Sequence, residues 1–225
     1  MAKELTFAEK KNLIDKMTAS INNKYGRSVC GRLGATPELQ EQFKIKFIPF
    51  PSPTLNEALG GGLPRKRITI LSGNEAAGKT GTLLEIIAIQ QKNPNFMALW
   101  MESEGSLDVE FMEMLGIDMD RITIVMHDKD RGAEQCIDEL LALAEAGGGI
   151  YDLIVINSLK ALVPKAEIDN SLTKDTVALQ ARMNAKMMRK LGPITEMSNA
   201  AVVLVNHLTT SIGGMTMGDK FSQVY

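Results

Sequence analysis

Gly73, Asn74, Glu75, Ala76, Ala77, Gly78, Lys79 and Thr80 fit the pattern G-x-x-x-x-G-K-[ST] in full, with Gly81 next. Glycines let successive backbone N–H groups curl round phosphates, and a helix starting at the end of the loop adds partial positive charge. In this pattern Lys79 reaches the β- and γ-phosphates, and the Thr80 hydroxyl ligates magnesium. The implied ligand is a nucleoside triphosphate, ATP with Mg2+. The same letters turn up by chance in glycine-rich turns, so they carry weight only between a strand and a helix.

Three other stretches hold groups suited to phosphate chemistry. Glu102 and Glu104 flank Ser103, and a carboxylate beside a γ-phosphate can orient an attacking water. Asn157 and Ser158 follow an apolar run at which a P-loop ATPase normally has an aspartate for magnesium. Asn206 and His207 follow another such run, where a γ-phosphate sensor can stand. A solvated acidic turn and a structural histidine are the plainer readings of the first and the last.

These residues need elements to bring them together. The pattern predicts strands at 68–72, 96–101, 122–126, 153–157 and 201–206, with helices over 80–91, 108–115, 133–146 and 175–198. Short apolar runs alternating with helices imply a mostly parallel α/β sheet covered on both faces, with right-handed crossovers. Such sheets bind ligands at the carboxyl ends of their strands, where all four stretches fall. Ahead of this lies a separate helix. Thr6 and Glu9 form a capping box, Phe7, Leu13, Ile14, Met17 and Ile21 recur at helical spacing, and Gly26 ends it. A linker-like stretch at 31–42 follows. The expected division is a helical arm at 1–44 and the core at 45–225.

Composition excludes some classes. Hydrophobic residues make up 44% and charged residues 23% of the 225, ordinary for a globular protein. A net charge of -2 gives no global nucleic-acid signature, so binding of that kind requires a local patch. Cys30 and Cys136 are too few for a disulfide framework. The charged N-terminus is unlike a signal peptide, and no apolar run spans a bilayer. A cytoplasmic protein without a membrane partner is expected.

The chain resembles the RecA family of DNA recombinases, phage-encoded members included, from about Lys11 onward. Beyond the P-loop, the resemblance rests on Arg32, Leu33 and Gly34, on the run from Ala58 to Pro64, and on Leu115, Gly116, Ile117 and Asp118. Its most specific part is the run from Ala161 to Ile168, with Ala181, Arg182 and Met183 and with Met188, Arg189, Lys190 and Leu191. The resemblance implies a DNA-dependent ATPase that forms head-to-tail helical filaments on single-stranded DNA and exchanges strands in recombination and repair. It assigns water activation to Glu104 and adenine contact and stacking to Asp108 and Phe111. His207 becomes the γ-phosphate sensor, as in phage members, and the N-terminal helix the subunit-docking arm. DNA-binding loops fall at 167–176 and 208–225; Arg182 and Arg189 lie near the DNA backbone, and Ile212 wedges between bases.

Departures from the family pattern shape the expectation. Asn157 replaces the magnesium-holding aspartate, which implies slowed hydrolysis that Asn157→Asp would speed. The second loop carries Thr209, Thr210 and Ser211 without the bacterial arginine. The family continues past the position matched by Tyr225, so the core is expected to be incomplete at its C-terminal side. An ATP-binding scaffold with little hydrolysis and a ring-forming DNA motor on the same core are the alternatives.

Overall fold

The computed structural model describes residues 4–127, 130–169 and 179–208. The chain divides into two compact units, Met1–Ile45 and Lys46–Tyr225.

In the first unit, α1 (Phe7–Tyr25) starts at the expected capping box and stops at Gly26, whose φ of 64° is the left-handed turn that glycine tolerates. It buries none of its residues, and Phe7 and Met17 are largely exposed. Asn22 ties the following chain back, accepting from the N–H groups of Val29 and Cys30 and donating to the Cys30 carbonyl. Arg32 forks onto Asp15 at 2.7 and 3.0 Å, and this pair holds the Asp15 carboxyl below its ordinary range. The stretch read as a linker is not extended. It holds a 3-10 turn at Leu33–Ala35 and a helix, α2 (Pro37–Phe43), started by proline in the first turn, where its missing N–H costs nothing.

The second unit opens with a small antiparallel pair, β1 (Phe47–Ile48) and β2 (Leu63–Pro64), around α3 (Pro53–Ala58). These lay outside the sequence reading because two-residue strands carry no periodicity. The main elements follow in the expected alternation: β3 (Arg67–Gly73), α4 (Lys79–Gln90), β4 (Ala98–Glu102), α5 (Val109–Met114), β5 (Ile122–Met126), α6 (Ala133–Ala146), β6 (Leu153–Asn157), α7 (Lys165–Ile168), α8 (Leu179–Ser198) and β7 (Ala201–His207). The five long strands form one parallel sheet in the order β3-β7-β6-β4-β5.

Alternate residues of each central strand feed two separate cores. Leu99, Met101, Ile154, Ile156, Val202 and Leu204 pack with α6 and α8, around Leu140, Met187 and Leu191. Ala98, Trp100, Leu153, Val155, Val203 and Val205 pack on the other face with α4 and α5, around Leu83, Ile86, Ile87 and Met112. Strands buried on both faces explain the unbroken apolar runs. Leu140 is fully buried in the first core. Leu140→Ala should therefore lower unfolding free energy by about 2–5 kcal/mol, as for other leucines truncated in a packed core. Urea titration followed by circular dichroism checks it, and a change under about 1 kcal/mol would contradict this packing.

Candidate nucleotide site

Four of the five strands of the sheet end where the candidate groups stand. Gly73 pairs with His207 in the β3–β7 register, and Glu102 pairs with Asn157 in the β4–β6 register. The loop after Gly73 turns through Ala76 and Gly78, with φ of 55° and 81°. At Gly78 this positive φ favours glycine, and α4 starts there with no side chain capping it. Its first-turn N–H groups are thus left to a ligand or water. Lys79 is buried to 9% exposure, and its Nζ donates to the carbonyls of Asn74 at 2.7 Å and Gly73 at 3.2 Å.

Behind the loop lies a polar cluster. Glu102 is 2% exposed, and its carboxylate accepts four hydrogen bonds: from Trp100 Nε1 and Asn157 Nδ2 on one oxygen, and from the N–H groups of Glu104 and Ser106 on the other. Asn157 is fully buried; Nδ2 also donates to Ser106 Oγ, while Oδ1 faces Thr80 Oγ1 at 3.5 Å. Ser103 Oγ lies 2.9–3.0 Å from the carbonyls of Asn157 and Ser158 and accepts from the Ser158 N–H. The peptide between Asn157 and Ser158 is cis.

At the front, Glu104 Oε1 meets His207 Nε2 at 2.7 Å and also accepts from Ser158 Oγ. A carboxylate only accepts, so Nε2 carries the proton. His207 Nδ1 is buried without a hydrogen-bond partner among the described residues, and Glu75 of the loop is 4.0 Å away. Glu75 also lies 3.5 Å from Lys160, both largely exposed.

The donor set fits a magnesium nucleotide. An uncapped helix start and a buried ammonium aimed into the loop both suit an anion. Among the described residues no cluster of three or more His, Cys, Asp or Glu could hold a metal alone. Magnesium in nucleotide sites takes most of its shell from substrate phosphates and water. Thr80 Oγ1 and Asn157 Oδ1 are the protein oxygens that face each other here.

A profile of the RecA N-terminal domain family matches residues 12–221. The chain belongs to the RecA family. It is 35% identical over 207 residues to Protein RecA of Symbiobacterium thermophilum and to Protein RecA of Thermus aquaticus, covering 92% of this chain and 57% and 58% of those proteins. Protein RecA of Caldanaerobacter subterraneus is 36% identical over 208 residues, covering 92% of this chain and 58% of its own length. The chain thus spans a little under three-fifths of these relatives.

The remaining RecA-like positions are spread out. Asp108 caps α5, accepting from the Phe111 N–H, and Phe111 is 37% exposed. Arg182 and Arg189 are exposed on α8, away from its buried Met183, Met187 and Leu191. Ile212 and most of both expected DNA loops lie outside the described residues. Trp100 and Ser106 escaped the sequence reading, and Ser103 and Ser158 stood in its candidate stretches without a role of their own. Trp100 and Glu102 alternate onto one strand face, a spacing that could have paired them. Among the described residues no helix is long and apolar enough to cross a membrane.

Ser103→Ala should cost about 1–3 kcal/mol, because it strips the acceptor from the Ser158 N–H inside the cluster. Thermal unfolding without nucleotide reads this, and an unchanged Tm would contradict the arrangement.

Proposed function

We propose that this chain is the nucleotide-binding core of an ATP-dependent recombinase that assembles head to tail on single-stranded DNA and pairs homologous strands. The observation that carries this reading is the P-loop at the carboxyl edge of the sheet, with the Glu104–His207 pair beside it. Family membership and the Protein RecA relatives support the recombinase part. Lys79, Thr80, Asn157 and the loop N–H groups of 73–81 would hold MgATP, which supplies the phosphoryl group and the charge neutralisation for hydrolysis.

Each residue then has a task set by its surroundings. Lys79 exchanges the carbonyls of Gly73 and Asn74 for phosphate oxygens. Glu104 orients a water, but only with an oxygen not occupied by His207. With Nε2 donating to Glu104, Nδ1 of a neutral ring is an acceptor and would repel a phosphate. To donate to phosphate, the ring must turn and release Glu104 or take up a second proton. By the first route, phosphate recognition by His207 would free Glu104 for water; by the second, Nε2 would keep its bond to Glu104. Asp108 and Phe111 would border the base, Phe111 with its exposed ring.

Asn157, in place of a carboxylate, favours a second reading of an ATP-binding protein with little turnover. Hydrolysis measured with and without single-stranded DNA separates the two, and closed rings by electron microscopy would point to a motor instead.

Lys79→Ala should weaken ATP binding roughly ten- to hundredfold, because a charge-assisted bond is worth about 1.5–3 kcal/mol. Equal affinity by calorimetry would remove the P-loop reading. Single-stranded DNA binding should be ATP-stimulated and backbone-directed, hence steeply weakened by salt. Arg182→Ala or Arg189→Ala should each lower the slope of log K against log salt by about 1. Fluorescence anisotropy with a labelled oligonucleotide tests this, and indifference to both substitutions would exclude this face of α8.

A further inference from the structure

Asn157 is fully buried against Glu102, itself 2% exposed, so these two side chains settle their arrangement between themselves rather than with water. Glu102 Oε2 lies 3.0 Å from Asn157 Nδ2. A carboxylate oxygen can only accept, so the amide must present its NH2 to Glu102 and its oxygen the opposite way. The opposite way is toward Thr80, the hydroxyl that belongs to the magnesium site in the nucleotide reading. Trp100 Nε1 and the N–H groups of Glu104 and Ser106 fill the other acceptor positions of Glu102 and fix its rotamer.

We propose that Glu102 is a positioning residue for the cation: it locks the Asn157 amide with Oδ1 facing Thr80, and the two side chains act as one unit carrying one carboxylate. The proposal rests on the magnesium–nucleotide reading of the site. Its corollary concerns position 157. An aspartate there would set a second carboxylate oxygen about 3 Å from Glu102, in a place where like charges are least screened. Asn157→Asp by itself would then be a disruption rather than a repair, and a glutamine at 102, able to donate, would be needed to accept it. Asn157→Asp, which the family pattern alone would have speed hydrolysis, brings its carboxylate against this neighbour.

Glu102→Gln removes the acceptor-only partner, so the amide can turn over and point its NH2 at the cation. Two measurements decide the matter on the whole chain. The first is the affinity for fluorescent ADP in magnesium relative to its affinity in EDTA. Glu102→Gln should cut that ratio about tenfold, and Glu102→Asp, which keeps the carboxylate but draws it back by one methylene, should cut it less. A residue that only braced the 102–106 turn would leave the ratio where it was. The second is the Tm in EDTA without nucleotide. Asn157→Asp should lower it by on the order of 5 °C or more, and the double variant Glu102→Gln/Asn157→Asp should melt above Asn157→Asp alone. An unchanged magnesium ratio in Glu102→Gln, or an Asn157→Asp protein as stable as the parent, overturns the proposal. A parent chain that binds ADP equally in magnesium and EDTA rejects the nucleotide–metal reading and the cation role with it, while the Tm comparison still judges the Glu102–Asn157 pairing.

Discussion

A parallel sheet delivers the last residue of every strand to the same edge, and this site depends on that geometry. Gly73 beside His207 and Glu102 beside Asn157 are register facts before they are chemical ones. The register is held by apolar side chains that alternate between two cores, one against α6 and α8 and one against α4 and α5. Slipping a strand by one residue would exchange its two faces and carry the terminal polar group out of place. The energy that aligns the site is therefore mostly hydrophobic burial away from it, and little of it comes from the polar contacts themselves.

The polar groups at that edge are almost all satisfied internally. Lys79 is held by two carbonyls, Glu102 by four donors, Ser103 Oγ by the backbone of Asn157 and Ser158, and the Ser158 hydroxyl by Glu104. A buried ammonium or carboxylate left without partners would cost several kcal/mol, so this much pairing is what permits charged groups there at all. Among the described residues, His207 Nδ1 is buried without a hydrogen-bond partner and no side chain caps the start of α4. Groups that the protein leaves unsatisfied at the end of a strand are where a ligand gains most.

Much of this was legible in the letters. β5, α6 and β6 fall on the residues that periodicity indicates, because their apolar runs are long and their flanking turns are marked by Gly132, Gly147 and Ser158. The P-loop was legible because backbone curvature and helix start are written in glycines and a fixed lysine spacing. The helix over Pro37–Phe43 was not, since its seven residues bury nothing and leave no hydrophobic pattern. The cluster behind the loop was only half visible. Glu102 and Asn157 are 55 residues apart, and nothing but the β4–β6 register brings an amide to a carboxylate. Roles for Asp108 and Phe111 came from resemblance, and the structure accounts locally for Asp108 as a helix cap.

The same edge joins the loop to the segment that follows the sheet. The Leu208 N–H donates to the Gly73 carbonyl, the atom that also accepts from Lys79 Nζ. One carbonyl thus serves the first residue after β7 and the ammonium of the loop. If Lys79 leaves that carbonyl for a phosphate, the Leu208 bond becomes its sole protein partner among the contacts described. His207, one residue before, holds Glu104 at 2.7 Å. A ligand that pulls on Lys79 and His207 therefore acts on both sides of the same peptide link, between the end of the sheet and the chain beyond it. Were the segment after Leu208 to hold a ligand, its coupling to a nucleotide would need no long relay through the core, only a change in the Lys79–Gly73 or His207–Glu104 hydrogen bond at its root.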